Sequence, residues 1–178
     1  MTELPDEKIM LDIKSGNLSG MSVLFERYNV KIFNFFLRMG LMRETSQDLT
    51  QNLFYRMIKY RNSYRDGSVK SWIYQIARNL RTDYYKEKKR TEELFNQPES
   101  YPSDKIEEHD NFPEEDYERL DRALLRLNDQ QREIIILSRF QGLKYSEISE
   151  IVNQSVPAIK VAVYRAIRQL RTIYFKQI

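Results

Sequence analysis

The chain has 178 residues, enough for one domain or two small ones, and its 41% hydrophobic content with only five glycines and five prolines favours helices over a turn-rich sheet. The absence of cysteine excludes disulfides and thiolate chemistry and fits a reducing compartment, while the single histidine, His109, leaves a histidine-based metal site or nucleophilic triad without partners. The net charge of +3 is unevenly spread: Thr91 to Asp116 holds ten acidic residues against Lys105 alone, a net of −9 that leaves +12 on the rest of the chain.

Two basic lobes separated by an acidic strap imply that the lobes meet a polyanion and the strap does not. No stretch approaches the roughly 18 apolar residues of a membrane span, and the N-terminal MTELPDEKIMLDIKSG lacks a signal-type apolar core. A cytoplasmic protein with no membrane insertion of its own is therefore expected.

In chain order, Asp6 to Ser15 reads as a short helix closed by Gly16. Met21, Leu24, Phe25, Tyr28, Ile32, Phe35, Phe36 and Met39 then recur at three- and four-residue intervals, which predicts a long core helix ending at Gly40. Glu44 to Arg61 repeats the pattern with Leu49, Leu53, Phe54, Met57 and Ile58 inward. Its outer face carries Asp48, Gln51, Asn52, Tyr55 and Arg56, a polar surface that is either a solvated face, the commoner case, or a docking face. NSYRDG, residues 62–67, is a turn by its Asn, Asp and Gly.

The turn leads into SVKSWIYQIARNLRTDYYKEKKR, residues 68–90. At helical period Val69, Trp72, Ile73, Ile76, Ala77, Leu80 and Tyr84 share one side, and Lys70, Arg78, Arg81, Lys86, Lys88, Lys89 and Arg90 fall largely elsewhere. A core-facing helix with a basic back, interleaved with aromatic and amide side chains, has the groups that stack on unpaired bases, pair with phosphates and read base edges. Residues 91–116 hold Pro98, Pro102 and Pro113, the acidic excess and almost no helical period, so they read as a linker, with His109 a solvated member of it.

The second lobe opens near Tyr117 with Leu120, Leu124 and Leu127 on one face. Asn128, with Gln131 three residues on, starts a further helix that runs through Ile134 to Phe140 and stops at Gly142. Ile148, Ile151 and Val152 then form the inner face of a short helix, Asn153 and Gln154 a tight turn, and Ile159, Val163, Ile167 and Leu170 the inner face of a longer one. This is helix-turn-helix spacing. Pro157 fits the first helical position, with Val156 or Ser155 as cap. Reach to bases or phosphates then falls to Ala158, Lys160, Val161, Tyr164 and Arg165. From Val156 onward there are five basic residues (Lys160, Arg165, Arg168, Arg171, Lys176) and no acidic one.

From about Met21 to Ile173 the chain resembles the extracytoplasmic-function sigma factors, the small two-domain initiation subunits of bacterial RNA polymerase. FERYNVKIFNFFLRMG is similar to the family's first conserved helix, and SQDLTQNLFYRMIKY to its DLxQExF helix, which docks on the polymerase clamp. YRDGSVKSWIYQIARNLRTDYYKEKKR resembles the block that melts and reads the minus-10 element. LNDQQREIIILSRFQGLKYSEISEIVNQSVPAIKVAVYRAIRQLR resembles the C-terminal block that reads the minus-35 element.

The resemblance implies an all-α protein: a region 2 domain over residues 1–90, a flexible acidic linker over 91–116 and a region 4 helix-turn-helix domain over 117–178. It implies polymerase docking by Asp48, Gln51, Asn52 and Phe54. Contact with minus-10 DNA falls to Tyr64, Arg65, Ser68, Trp72, Asn79, Asp83, Lys86, Lys89 and Arg90. Contact with minus-35 DNA falls to Lys144, Ser155, Ala158, Lys160, Val161, Tyr164, Arg165 and Arg168. In the family, the loop matching Tyr64 to Ser68 captures an unstacked non-template base beside the positions of Asn79 and Asp83.

Core RNA polymerase, promoter DNA and an anti-sigma factor are the implied partners; no cofactor, metal or catalytic residue is implied. Several positions depart from the family pattern. Asn52 stands where an acidic residue is usual, Val69 replaces Phe, Asn153 and Gln154 replace Gly and an apolar residue, Pro157 and Ala158 replace Gly-Thr, and Val161 and Ala162 replace Ser-Arg. The loss of a basic side chain at Ala162 implies altered upstream recognition. Two other readings are a polymerase-independent helix-turn-helix regulator, which leaves the Trp-containing basic helix without a task, and a carboxylate metal enzyme built on the acidic strap.

Overall fold

The computed structural model describes residues 4–95 and 114–176, and within them the chain is helical with no strand. The helices are α1 (Asp6–Lys14), α2 (Met21–Arg38), α3 (Arg43–Lys59), α4 (Val69–Phe95), α5 (Glu114–Leu125), α6 (Asp129–Ile135), α7 (Tyr145–Val152) and α8 (Val156–Lys176). Two compact units result, Met1–Phe33 with Glu44–Tyr101 and Asn34–Arg43 with Pro102–Ile178. The segment 34–43, at the end of α2, thus belongs by packing to the second unit.

The first unit follows its apolar periodicity. Leu24, Tyr28 and Ile32 of α2, Leu49, Leu53, Phe54 and Met57 of α3, and Val69, Ile73, Tyr74, Ala77 and Leu80 of α4 are buried. Each large side chain so buried contributes about 1.5–3 kcal/mol, which is what holds helices of modest intrinsic propensity in place. Two expectations fail here. Phe25, expected in the core, is 46% exposed and covers Phe54 from the outside, its ring centroid 4.8 Å away. Arg81, expected on the basic back, is buried with its guanidinium 5.1 Å from the Tyr85 ring centroid, because its aliphatic stem fills core space while the head finds an aromatic face.

Helix α4 also runs further than composition implied, to Phe95. Lys88 pairs with Glu92 at 3.9 Å and Lys89 with Glu93 at 4.0 Å, so the first acidic residues of the strap act as i, i+4 partners of the basic run before them. Glu114 to Asp116 likewise open α5. The rest of the segment read as a linker, 96–113, with His109 and its three prolines, lies outside the described residues.

In the second unit Asn128 caps α6, its Oδ1 accepting from the Gln131 N–H at 2.8 Å. The helix expected to continue to Phe140 widens into a π-type turn over Ile136–Phe140, where the Gln141 N–H reaches back five residues to the Ile136 carbonyl at 2.9 Å. Arg132 clamps the α5–α6 corner by donating to the carbonyls of Leu124, Leu125 and Leu127. The core here includes Ala123, Leu124, Ile134, Ile135, Ile136, Leu137, Ile148, Ile151, Ile159, Val163 and Ala166. Ile167 and Leu170, expected inward, are only half-buried because Ala166 takes the innermost position of that turn.

Candidate nucleic-acid interface

In the first unit the chain enters the site through a short 3-10 turn, Arg61–Ser63. The Tyr64 side chain turns inward, only 1% exposed, and its hydroxyl donates to the Gly67 carbonyl at 2.7 Å, closing the loop on itself. Burial first, and the negative charge of Glu7 second, hold the Tyr64 phenol above its ordinary range, so it stays a protonated donor. Trp72 packs edge-on against that ring, 5.4 Å between centroids. Ser68 begins α4: its Oγ accepts from the Ser71 N–H and its carbonyl from the Trp72 N–H, each at 3.1 Å. Arg65, Asp66 and Gly67 are left exposed at the tip.

Along α4, Asn79, Asp83, Lys86 and Arg90 recur at four, three and four residues and are all exposed, so they form one polar stripe leading away from the loop. Arg56 of α3 donates to Asp83 at 3.2 Å and ties the two helices together beneath that stripe. Lys89 and Arg90 meet only exposed carboxylates, Glu93 at 4.0 Å and Glu87 at 2.6 Å. Surface pairs of this kind are worth roughly 0–1 kcal/mol and give way readily to a phosphate.

On α3, Asp48, Gln51, Asn52 and Tyr55 share an exposed face at i, i+3, i+4 and i+7. Phe54 is buried against Phe25 and supports this face from behind instead of forming part of it. Tyr64 has the same relation to its loop. Helical period already placed Phe54 inward; Tyr64 lies between helices, where no period could place its ring.

In the second unit α7 ends at Asn153, whose φ of 54° is left-handed, and the chain turns at once into α8. Asparagine tolerates this geometry better than other side-chain-bearing residues. Ser155 caps α8, its Oγ accepting from the Ala158 N–H at 3.3 Å and its carbonyl from the Ile159 N–H at 3.0 Å. Val156 is thus the first helical residue and Pro157 the second, one position later than expected, where its missing N–H is equally harmless.

Opposite the buried Ile159, Val163 and Ala166, α8 exposes Ala158, Lys160, Val161, Tyr164, Arg165 and Arg168. The Arg168 guanidinium lies 5.8 Å from the Tyr164 ring centroid. Lys144 sits exposed before α7, where its backbone N–H donates to Glu147 Oε2 at 2.7 Å. Two residues that sequence reasoning passed over, Glu7 and Lys14, reach the loop region from 62 and 50 positions away in sequence. No local pattern announces such contacts.

Residues 24–91 match the family described as Sigma-70 region 2 and residues 117–170 the family described as Sigma-70, region 4. The RNA polymerase sigma factor SigZ of Bacillus subtilis is 32% identical over 127 residues, covering 71% of this chain and 70% of that protein. The chain belongs to the extracytoplasmic-function sigma factors. RNA polymerase sigma factor YlaC of the same organism is 29% identical over 161 residues, covering 83% of this chain and 88% of YlaC. The fold is shared with CnrH, solved in complex with the cytosolic domain of CnrY, at a TM-score of 0.72 and 20% identity over 94% of this chain and 96% of that one.

A sigma factor directs promoter-specific initiation by RNA polymerase, binding DNA and melting it; sigma factors are initiation subunits and generally not enzymes. The region 2 match gives the Trp-containing helix the task that an independent helix-turn-helix regulator would leave it without. Among the described residues of this sigma factor, no helix is long and apolar enough to cross a membrane.

Proposed function

We propose that residues 44–60 dock this sigma factor on core RNA polymerase, residues 64–90 unwind the minus-10 element and capture an unstacked base, and residues 144–171 anchor the minus-35 duplex. The region 2 work then belongs to residues 1–90 and the region 4 work to 117–178, joined by the acidic segment 91–116. The observation that carries this reading is the exposed stripe Asn79, Asp83, Lys86 and Arg90 running from the loop that Tyr64 closes on Gly67. A single strand leaving the loop meets the Asn79 amide, then Asp83 held by Arg56, then the cations of Lys86 and Arg90, so base reading can be followed by phosphate tracking. Extracting a base costs a few kcal/mol, which stacking and edge hydrogen bonds in such a loop can offset.

The protein works in the cytoplasm and performs no catalysis of its own. An anti-sigma protein, the kind of partner held by RpoE of Bartonella quintana in its solved complex, is its regulator and covers these same faces. The test is run-off transcription with purified core polymerase on a pool of genomic promoter fragments. Transcripts that appear only with the chain are expected, and they reveal the promoter elements it reads. No transcripts, together with failure to co-elute with core polymerase, would overturn the assignment of 44–60 to docking.

A further inference from the structure

Helix α1 precedes the residues that match region 2, yet it is fastened into the first unit along its whole length. Ile9, Met10 and Ile13 are buried, and a Cβ built at Gly20 would collide with Ile9 Cγ2, so α1 lies as close to that turn as a glycine permits. At its start, Asp6 accepts from Arg27 and from the Tyr28 hydroxyl. Burial of three apolar side chains and this polar anchor suffice to hold a nine-residue helix. They do not explain its two remaining contacts.

Lys14 Nζ donates to the Tyr64 carbonyl at 2.7 Å. Glu7 Oε1 accepts from the Val69 N–H at 3.4 Å. Tyr64 is the residue immediately before the loop 65–68, whose tip Arg65–Gly67 is exposed, and Val69 the residue immediately after it. Glu7, Met10 and Lys14 lie at i, i+3 and i+7, hence on one face of α1, with the buried Met10 between the two charged residues. One rigid face of α1 thus holds both ends of the loop, while the Tyr64 hydroxyl ties it across the middle to Gly67 at 2.7 Å. The Lys14 bond is charge-assisted and half-buried, the kind of contact that fixes a backbone carbonyl most firmly.

We propose that α1 sets the conformation of the base-capturing loop, with Lys14 and Glu7 as positioning residues for promoter opening. This rests on the reading of residues 64–68 as the capture loop. Neither residue touches DNA in this scheme. Each fixes one end of a loop whose tip must present its polar groups to an extruded base at defined distances, and a preformed loop loses less conformational entropy when the base enters.

The experiment uses the full chain bound to core polymerase and a promoter recovered by run-off transcription, substituted in turn with each of the four bases at each minus-10 non-template position. Open-complex formation is read by permanganate reactivity of unpaired thymines. The variants are Lys14→Met, Lys14→Arg, Glu7→Gln and, in the loop itself, Asp66→Ala, with thermal unfolding measured for each. Lys14→Met is expected to lower opening on the preferred base roughly tenfold, as expected for the loss of one charge-assisted hydrogen bond, and to flatten the preference among bases. Lys14→Arg should restore most of both, and Glu7→Gln should give a smaller change in the same direction. Trp72 emission, sensitive to the Tyr64 ring beside it, should shift in Lys14→Met.

A loss that is equal for all four bases and tracks lowered thermal stability would reduce α1 to a structural prop and overturn the proposal. Wild-type preference in Lys14→Met, with altered preference in Asp66→Ala, would overturn it while leaving the loop reading intact. Unchanged preference in both variants would remove the loop reading and the positioning role together.

Discussion

Asn79 is exposed on α4 one turn before Asp83, and Asp83 is already committed to Arg56 at 3.2 Å. Asp83 can only accept and already shares one oxygen with Arg56, whereas the amide offers both donors and an acceptor to a base edge. Replacing it with alanine removes donors and an acceptor without touching the core. Asn79→Ala is expected to weaken promoter opening by about 1–3 kcal/mol, the range for a base contact of this kind, and to leave binding of closed duplex nearly unchanged. Parallel permanganate and gel-shift titrations check this; equal losses in both would remove base reading from Asn79.

Arg168 is a different kind of residue, an exposed cation beside Tyr164 on a helix face without carboxylates. Arg168→Ala should weaken upstream binding for all sequences alike and reduce the slope of log affinity against log salt by about 1. Most of these side chains were legible in sequence because charge and period put them on outer faces. Phe54 was legible as an inward residue from helical period, whereas Tyr64, in a turn with no period, needed packing to reveal that its ring points inward. Glu7 and Lys14 were not legible at all, because their partners are backbone atoms more than 45 residues away in sequence, 62 and 50 positions respectively.

At the scale of elements, the turn between α7 and α8 decides how α8 is presented. Asn153 occupies the left-handed region with φ 54°, where a side chain branched at Cβ costs about 1–2 kcal/mol. Asn153→Val is expected to lower unfolding free energy by about that amount, and Asn153→Gly to change it by only a few tenths. Urea unfolding of the two variants distinguishes them, and an insensitive Asn153→Val would mean that the turn relaxes without strain.

The eight helices of the described residues were foreshadowed, most by apolar period, α1 by its stop at Gly16, and α6 and α8 also by the caps at Asn128 and Ser155. Their ends were less legible. The extension of α4 to Phe95 depends on lysine–glutamate pairs that composition had counted as an acidic excess. The π-type turn over Ile136–Phe140 keeps an apolar pattern that reads as ordinary helix, so nothing in the residues distinguished it.

For the molecule as a whole, ionisation distinguishes the first unit. Tyr28, Tyr64 and Tyr74 all belong to it, and burial raises each phenol above its ordinary value of 10.0. For Tyr28 the hydrogen bond to Asp6 and that carboxylate's charge push in the same direction. A group whose folded pKa lies above its unfolded value contributes stability that is fully present below the unfolded value. As pH rises past about 10, the unfolded chain releases these protons while the folded unit retains them, so unfolding is favoured progressively. Trp72, the chain's single tryptophan, lies in this unit against Tyr64 and reports its unfolding selectively. The Trp72-monitored melting temperature is therefore expected to be insensitive to the phenols below pH 10 and to fall with increasing slope above it. Tyr28→Phe cannot release a phenolic proton in either state, so it should show a shallower alkaline slope, offset at neutral pH by the lost bond to Asp6. An unchanged slope in Tyr28→Phe would mean that this phenol ionises alike in the folded and unfolded chains, and would remove the link between alkaline stability and the anchoring of α1.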